Sequence, residues 1–295
     1  MKSITVFTPT YNRAHLLHRL YSSLCEQTNL NFIWLIIDDG SSDNTRELVA
    51  EWIKKDKIEI QYQYKQNGGM HTGHNLAYKL IKTELNVCID SDDYMPKDAI
   101  ALIIRTWDAV VDKKNISGII GLDADNEGKI IGTKIPEHLV SGTYYDLYNK
   151  YKIVGDKKIV LKSSVIKEYP PYPEYEGEKL VPLGILYIMI DKNYNYIYSN
   201  EIYCIVEYQE EGSSNSIFKQ YRQSPRGFAY ARKIKLKYDK SFKDQFRVYA
   251  HLISSSLFAK DLSLAFNGVN TIKSLLMMPF GLLLHFYILL KIKSR

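Results

Sequence analysis

Three carboxylates stand within four residues, at Asp90, Asp92 and Asp93, directly after the apolar run Val87–Ile89. A buried strand that ends in three acids needs a cation to hold them together. Where the backbone turns at the end of a strand, Asp90 and Asp92 can converge on one ion, and their hard oxygen atoms favour Mg²⁺ or Mn²⁺. The same stretch could be a solvated acidic turn that caps a helix, with Pro96 in the first helical turn. Taken alone, it leaves both interpretations open.

Polar clusters also follow three earlier apolar runs of strand length. They are Thr8-Pro9-Thr10-Tyr11-Asn12-Arg13, then Asp38-Asp39-Gly40-Ser41-Ser42-Asp43, then Gln66-Asn67-Gly68-Gly69 leading into His71-Thr72-Gly73-His74-Asn75. Gly40 permits a tight turn and Ser42 or Asp43 can cap the next helix, which accounts for one acid of its cluster. Free backbone N–H groups at the helix start after Gly69 favour a phosphate. Turn and cap chemistry explains any one cluster, whereas four in succession favour a binding site.

The predicted strands and helices around these clusters alternate along the first half of the chain. Hydrophobic spacing predicts strands over Ser3–Thr8, Phe32–Ile37, Ile58–Tyr64, Leu85–Ile89 and Ser117–Leu122, and helices over Ala14–Gln27, Asp43–Lys55, Met70–Ile81 and Pro96–Val111. Such alternation predicts a parallel sheet with right-handed crossovers, whose ligands collect at the carboxyl ends of the strands. The four polar clusters fall at those ends.

Composition indicates a globular protein of a reducing compartment. The 295 residues are 45% hydrophobic and 24% charged, which is ordinary for a globular chain. Cys25, Cys88 and Cys204 are odd in number and widely spaced, so neither a disulfide framework nor a zinc site is expected. The apolar run Ile4–Phe7 ends at Pro9 and is too short for a signal peptide. We therefore expect a cytoplasmic setting.

The C-terminal part of the chain pairs a basic segment with an apolar one. Ten Lys or Arg and two Asp lie between Lys219 and Arg247, and sixteen mostly apolar residues follow over Leu275–Leu290. A membrane span needs about twenty residues. We therefore expect an interfacial or re-entrant helix at an anionic membrane surface, at the inner face of the cell membrane. Docking on the helix's own domain or on a second subunit is the alternative, and the absence of a nucleic-acid motif argues against DNA or RNA as a partner.

Taken together, the motifs resemble a known family. Their order and spacing are similar to those of family 2 glycosyltransferases of the GT-A fold over roughly residues 1 to 125. The motifs that carry this resemblance are Thr8-Pro9-Thr10-Tyr11-Asn12, Asp38-Asp39-Gly40-Ser41-Ser42-Asp43, Asn67-Gly68-Gly69, and Asp90-Ser91-Asp92-Asp93 with Pro96. The resemblance implies an α/β, Rossmann-like, mostly parallel sheet flanked by helices, here with a partly apolar helical tail. It also implies an inverting transferase that uses a nucleotide-sugar and a divalent metal.

The resemblance assigns the base pocket to the first two clusters. Tyr11 would stack on uracil, and Asp39 would accept the uracil N3–H, which cytosine lacks, so a UDP-sugar is expected. Pro9 and Thr10 would shape the pocket through the backbone. Asp38 would lie behind or beside the uridine.

The other two clusters would hold the ribose, the diphosphate and the metal. Gly68 and Gly69 would let the backbone approach the nucleotide closely. The cofactor-binding and metal residues that the resemblance implies here are Asn75, Asp90, Ser91 and Asp92, with Asp92 as the main ligand of Mn²⁺ or Mg²⁺ and Asp90 beside it. The chain departs from the family where many members have Arg-Asn and this sequence has His74-Asn75. A neutral imidazole does not replace a guanidinium charge.

The catalytic base is expected in the second half of the chain. The family commonly places it in a Glu-Asp pair at a helix start, and here the pair reads Glu178-Lys179. We therefore assign the base to Glu178, with Glu176 and Asp156 as reserves. A favourable acid in the first turn of a helix is the structural alternative for Glu178.

These assignments predict three regions and one function. Residues 1–123 would bind the nucleotide-sugar, residues 124–214 the acceptor, and residues 215–295 would form the tail. The function would be hexosyl or N-acetylhexosaminyl transfer to a glycan or polyprenyl-linked acceptor in bacterial surface polysaccharide biosynthesis. The alternatives are a nucleotidyltransferase, which Thr10–Arg13 argues against because it is not a Gly-rich basic loop, and a degenerate transferase that serves as a nucleotide-binding or membrane assembly protein.

Overall fold

The computed structural model describes residues 2–207, 217–238 and 242–293. The chain divides into two compact units, the first made of Met1–Pro170 and Ile190–Gln209 and the second of Pro171–Met189 and Glu210–Arg295. The predicted boundary between residues 214 and 215 lies outside the described residues, so the predicted regions stay predictions.

One mixed sheet organises the first unit. Its eight strands are β1 (Ile4–Thr10), β2 (Phe32–Asp38), β3 (Ile60–Tyr64), β4 (Leu85–Cys88), β5 (Ile116–Ala124), β6 (Ser141–Gly142), β7 (Lys157–Lys162) and β8 (Asn195–Ile205). They lie in the order β3-β2-β1-β4-β7-β5-β8-β6. β1 pairs in parallel with β2 and β4, β2 with β3, and β5 with β8. β7 is antiparallel to both β4 and β5, so the predicted parallel sheet is interrupted at its centre.

Helices cover both faces of the parallel half of this sheet. They are α1 (Ala14–Cys25), α2 (Thr45–Lys55), α3 (Met70–Leu80) and α4 (Ala99–Asp108), followed in the same unit by the short α5 (Tyr144–Asn149) and α6 (Ser163–Ile166). Side chains alternate along β1: Ile4 and Val6 pack with α1, α2 and α4, whereas Phe7 packs with α3. Fully burying one such side chain contributes about 1.5–3 kcal/mol. The strand ends therefore project from a firmly packed platform.

The second unit is helical. It contains all but the last residue of α7 (Gly184–Ile190), and then α8 (Ile217–Gln223), α9 (Pro225–Tyr238), α10 (Phe242–Phe258) and α11 (Thr271–Lys293). α11 packs on α10 at Gly281, where an added Cβ would lie 2.5 Å from Ile253 Cβ. Met277 of α11 is buried in the same cluster as Tyr249 and Ile253. One face of α11 is therefore a protein contact.

The opposite face of α11 is apolar and exposed. Among the described residues, Thr271–Ile292 is the one helix whose length and composition would let it cross a membrane, with a mean hydropathy of 1.9. Its exposed large side chains recur at helical spacing: Ile272, Leu275, Leu276, Phe280, Leu282, Leu283, Phe286, Tyr287 and Leu290. The helix thus carries a lengthwise apolar stripe.

Candidate functional site

The strand register brings the first three polar clusters to one edge of the sheet. Thr10 pairs with Asp38 across β1 and β2, and Asp38 pairs with Tyr64 across β2 and β3. Backbone bonds extend the ladder, since the Asp39 N–H donates to Thr10 O at 2.8 Å and the Lys65 N–H to Asp38 O at 2.9 Å. The loops that follow β1, β2 and β3 therefore begin side by side, as predicted from the alternation.

The β1–α1 and β2–α2 loops are locked together by side chains. The Asn12 N–H donates to Ser41 Oγ at 2.9 Å, and the Ser42 N–H donates to Asn12 Oδ1 at 2.7 Å. Asn12 has a φ of 52°, a left-handed conformation that asparagine tolerates better than most residues. Asp43 accepts from the Ala14 and Thr45 N–H groups at 3.0 and 3.2 Å, so it joins the starts of α1 and α2.

Tyr11, Pro9 and Thr10, which are predicted to form the base pocket, lie at and directly after the end of β1. The Tyr11 side chain is 48% exposed, so its ring is open to a ligand. Pro9 is buried against Gly73, where an added Cβ would lie 3.4 Å from Pro9 Cβ. Thr10 Oγ1 and Asn67 Oδ1 are buried and have no hydrogen-bond partner among the residues that the structure describes. Buried polar atoms are normally paired, so these two indicate a missing partner.

Asp38 is a buried hydrogen-bond acceptor at the end of β2. It is 1% exposed and accepts from the Ser41 N–H at 2.7 Å and from the Tyr62 hydroxyl at 2.5 Å. Burial and the hydrogen bond to Asp38 raise the pKa of Tyr62, so this phenol stays protonated and donating. Asp38 therefore holds the turn after β2.

Asp39 organises the glycine loop after β3. Its carboxylate accepts from the N–H groups of Gly68 and Gly69 at 2.9 and 2.7 Å and lies 2.5 Å from Lys65 Nζ. Gly69 has a φ of 93°, which few residues other than glycine adopt. At Gly40, an added Cβ would lie 2.8 Å from the Asn67 N atom. The β2–α2 loop and the glycine loop therefore pack closely, and the Asp39 carboxylate lies between them.

His74 is a core residue and not a substitute for the family arginine. Its ring lies 5.0 Å from that of Phe7 in an edge contact, its Nδ1 is 3.1 Å from the Tyr78 hydroxyl, and its Nε2 is 3.6 Å from Cys88 Sγ. Burial, with a smaller contribution from the charge of His71, lowers the pKa of His74 to about 3, so it is neutral at physiological pH. Asn75 follows on α3 and is half-buried.

The acidic loop after β4 is split between two environments. Asp92 lies 3.1 Å from Arg13 Nη1, which also donates to the hydroxyl of the buried Ser91 at 3.2 Å. Asp90 is half-buried beside Cys88, whose Sγ is 3.8 Å from Asp90 Oδ1.

Asp93 instead points into the protein. It lies 3.9 Å from Lys158 Nζ and accepts from Cys204 Sγ at 3.6 Å and the Glu207 N–H at 3.3 Å. Burial raises the pKa of Asp93 to about 7. Asp93 is therefore committed to internal contacts.

Sequence reasoning missed two residues beneath this loop, Lys158 and Asp123. Although burial lowers it, the neighbouring carboxylates of Asp123, Asp93 and Asp90 raise the pKa of Lys158 well above its ordinary value. Burial raises the pKa of Asp123, and its Oδ1 lacks a hydrogen-bond partner within the described ranges. No local motif marks these residues, because strands distant in the sequence bring them together.

The donor set fits a hard divalent cation. No group of three or more His, Cys, Asp or Glu among the described residues is placed to enclose a metal ion by itself. Mg²⁺ commonly takes one or two carboxylates and completes its shell with substrate phosphates and water. Asp92 is paired here with a cationic group, Arg13, whose side chain is 40% exposed. Asp90 and Asp92 are therefore suitable ligands, whereas Asp93 is engaged elsewhere.

Glu178, the predicted base, lies in the second unit and contacts the first turn of α9. Its two carboxylate oxygens accept from the N–H groups of Arg226 and Gly227 at 3.0 and 2.9 Å. Glu178 is 9% exposed, whereas Glu176 and Asp156 are exposed. Glu178 therefore caps a helix in this structure, and its role as base stays a prediction.

Comparison with known proteins confirms the family resemblance over residues 5–127, which match the model of glycosyl transferase family 2. An uncharacterized glycosyltransferase of Rickettsia conorii is 40% identical over 102 residues, which are 35% of this chain and 17% of that protein. The poly(ribitol-phosphate) beta-N-acetylglucosaminyltransferase TarP of Staphylococcus aureus is 27% identical over 234 residues, or 74% of this chain and 67% of TarP. This chain thus spans only a small part of the first of these relatives.

Two solved structures confirm the predicted GT-A fold. S. aureus TarS 1-349 in complex with UDP-GlcNAc has a TM-score of 0.56 and 18% identity, over 89% of each chain. The mannosyltransferase PcManGT of Pyrobaculum calidifontis in complex with GDP-Man and Mn²⁺ also has a TM-score of 0.56 and 18% identity, over 95% of this chain and 80% of that one.

Proposed function

Since this chain carries a family 2 glycosyltransferase domain of the GT-A fold, we propose that it transfers a sugar, with inversion and with the help of a divalent metal, from a UDP-sugar to a glycan or lipid-linked glycan. The observation that carries the proposal is the meeting of three polar loops at one sheet edge, set by the register of Thr10, Asp38 and Tyr64. Ligands of open α/β sheets bind at such an edge.

The base pocket supports a uridine nucleotide. The exposed ring of Tyr11 offers a stacking surface. The Asp39 carboxylate already accepts from Lys65 and Gly68 at Oδ1 and from Gly69 and Asn67 at Oδ2, which fills its about four acceptor positions. A nucleobase N–H would therefore replace the longest of these bonds, the 3.3 Å contact from Asn67 Nδ2. The uracil N3–H is the donor that this arrangement would take. The unpartnered Thr10 Oγ1 and Asn67 Oδ1 offer further polar contacts.

Asp90 and Asp92 would hold the metal. When bound there, the metal would neutralise the diphosphate of the departing UDP. Gly68, Gly69 and Asn75 would contact the nucleotide from the third loop and α3. Ser91, which lies between these two acids in the acidic loop, would contact the nucleotide.

The sugar and the acceptor follow from chemistry and from the relatives. TarP is named for N-acetylglucosamine and poly(ribitol-phosphate). UDP-N-acetylhexosamines are therefore the first donors to test, and polyol phosphates and polyprenyl-linked glycans the first acceptors.

Turnover of UDP-sugars tests the proposal. The purified protein, incubated with UDP-hexoses and UDP-N-acetylhexosamines and each acceptor class in Mn²⁺, should release UDP, and chelation of the metal should stop the release. Binding of UDP with no hydrolysis or transfer under any acceptor would favour the non-catalytic alternative. That alternative is supported by Lys179, where the family has an acid, and by the cap that Glu178 forms.

Glu178→Gln tests the proposed base. We expect the variant to bind UDP normally and to lose turnover by about a hundredfold or more, as expected when a general base is removed. The variant should also unfold more easily by about 1 kcal/mol, since one amide oxygen must replace two carboxylate acceptors. Glu174→Gln is the control because Glu174 is exposed, lies in the same unit and is not a candidate base. Retained turnover in Glu178→Gln would pass the role to Glu176 or Asp156.

The apolar stripe on α11 supports peripheral membrane contact, at the inner face of the cell membrane. A helix that packs one face on α10 and exposes an apolar opposite face suits an interfacial position, with that face in the headgroup region. Lys273 and Lys291 near its ends would meet anionic lipid.

Leu276→Asp with Leu283→Asp tests the membrane contact. The two leucines are 69% and 68% exposed, so the fold should be unaffected. We expect about a hundredfold weaker binding to phosphatidylglycerol vesicles in a sedimentation assay, because each buried leucine contributes about 1.5 kcal/mol or more. Val111→Asp is the control, at a fully exposed position of the first unit. Unchanged binding would contradict the proposal, and loss of a dimer in its place would assign the stripe to a second copy.

A further inference from the structure

The acidic loop has two counter-cations with opposite accessibility. The side chains of Arg13 and Asp92 are 40% and 17% exposed, and their charged atoms are 3.1 Å apart. The side chains of Lys158 and Asp93 are 13% and 8% exposed, and their charged atoms are 3.9 Å apart. A half-exposed ion pair is weak and easily opened, whereas breaking a buried pair leaves an uncompensated charge. Arg13 is therefore the exchangeable cation and Lys158 the fixed one.

This difference separates the three acids. Asp93 is held by Lys158, Cys204 and the Glu207 N–H, all on the inner side of the loop. Asp92 contacts Arg13, which reaches it from the start of α1. Ser91 accepts from the same guanidinium nitrogen as Asp92, so Arg13 lies across the outward side of the loop.

We propose that Arg13 is a placeholder cation, which neutralises Asp92 in the ligand-free protein and gives way when metal and nucleotide bind together. The inference rests on the proposed function, in which Asp92 is a metal ligand. The guanidinium and a divalent ion would compete for the same carboxylate. Arg13 would therefore weaken the binding of metal alone.

The diphosphate gives the displaced Arg13 a new partner. Guanidinium groups pair well with phosphate oxygens through charge-assisted hydrogen bonds. Metal binding and UDP binding should then strengthen each other, and part of that coupling should depend on Arg13. Arg13 is therefore a positioning residue. Many family members have an arginine where this chain has the neutral His74, and the charge of Arg13 would partly make up for that missing guanidinium.

The test measures Mn²⁺ binding to the full chain with and without UDP. The readout is the loss of the electron paramagnetic resonance signal of free Mn²⁺. Four proteins are compared: wild type, Arg13→Gln, Arg13→Lys and Arg105→Gln. Arg105 is the matched control, because it forms an exposed ion pair with Glu201 at 3.0 Å in the same unit. Thermal unfolding checks that each variant is folded, and no side-chain cap of α1 is lost with Arg13.

We expect Arg13→Gln to bind Mn²⁺ alone about three- to fivefold more tightly than wild type, as removal of a competing half-exposed ion pair predicts. UDP should then strengthen Mn²⁺ binding less than it does in wild type. Arg13→Lys should behave like wild type, and Arg105→Gln should change nothing. A general structural defect would weaken metal binding, so the tightening is specific.

Equal or weaker Mn²⁺ binding by Arg13→Gln, with wild type binding both Mn²⁺ and UDP, would overturn this inference and leave the proposed function intact. Wild type that binds neither ligand would overturn both.

Discussion

Asp92→Ala is expected to abolish metal-dependent UDP binding and to lower turnover by about a thousandfold, while the fold stays intact. A bound metal contributes several kcal/mol to stabilising the charge of a leaving diphosphate, and about 1.4 kcal/mol corresponds to a factor of ten in rate. The folded state should lose little, because the pair with Arg13 is part-exposed and such pairs contribute about 1 kcal/mol or less. The measurements are UDP release from the donor, UDP binding in Mn²⁺ and thermal unfolding.

Asp108→Ala is the control for this prediction. Its carboxylate lies in the same unit, is 70% exposed and sits 4.0 Å from Lys113, so it removes one acid without touching the acidic loop. Wild-type turnover in Asp92→Ala would remove Asp92 from the metal site.

Asp39→Ala should reduce both stability and nucleotide affinity. The substitution deprives Lys65 of its carboxylate and leaves the N–H groups of Gly68 and Gly69 without their acceptor. Breaking a buried ion pair costs about 3–5 kcal/mol, and the lower end applies because Lys65 is 20% exposed. UDP affinity should fall at least about tenfold, since the glycine loop loses its anchor and uracil its acceptor. Urea unfolding and UDP titration measure the two effects.

Lys65→Met separates the two roles of Asp39. It removes the cation and keeps the carboxylate with its two N–H donors, so UDP affinity should change less than in Asp39→Ala. Wild-type UDP affinity in Asp39→Ala would show that neither the contact to the base nor the anchoring of the glycine loop contributes to UDP binding.

The parallel half of the fold could be predicted because its signals are local. Apolar runs of strand length, helical spacing in segments such as Ala14–Cys25, and polar clusters at the strand ends all lie within short stretches of sequence. The order of the parallel strands, β3-β2-β1-β4, is known from the structure, whose register places Thr10 beside Asp38. The motifs predict that the loops of Asn12, Ser41 and Ser42 lie close together, but they do not predict the hydrogen bonds between these residues.

What could not be predicted depends on distant contacts. β7 enters the sheet antiparallel between β4 and β5, and so brings Lys158 beneath Asp93 from 65 positions away. The capping of α9 by Glu178 depends on Arg226 and Gly227, 48 and 49 positions later. Neither contact leaves a pattern near the residue concerned. His74 shows the same limit, because only its packing against Phe7 and Cys88 identifies it as a core residue.

A calorimetric titration with three nucleotides shows whether the polar loops form a metal-dependent uridine site. UDP, GDP and CDP are titrated in turn into the purified protein, first with Mn²⁺ and then after chelation. We expect that UDP binds in Mn²⁺, that chelation removes the binding, and that GDP and CDP bind more weakly, because Tyr11, Asp39 and Asp92 then act on one ligand. Failure of every nucleotide to bind in Mn²⁺ would contradict it, and the carboxylates at Asp90 and Asp92 would then be structural.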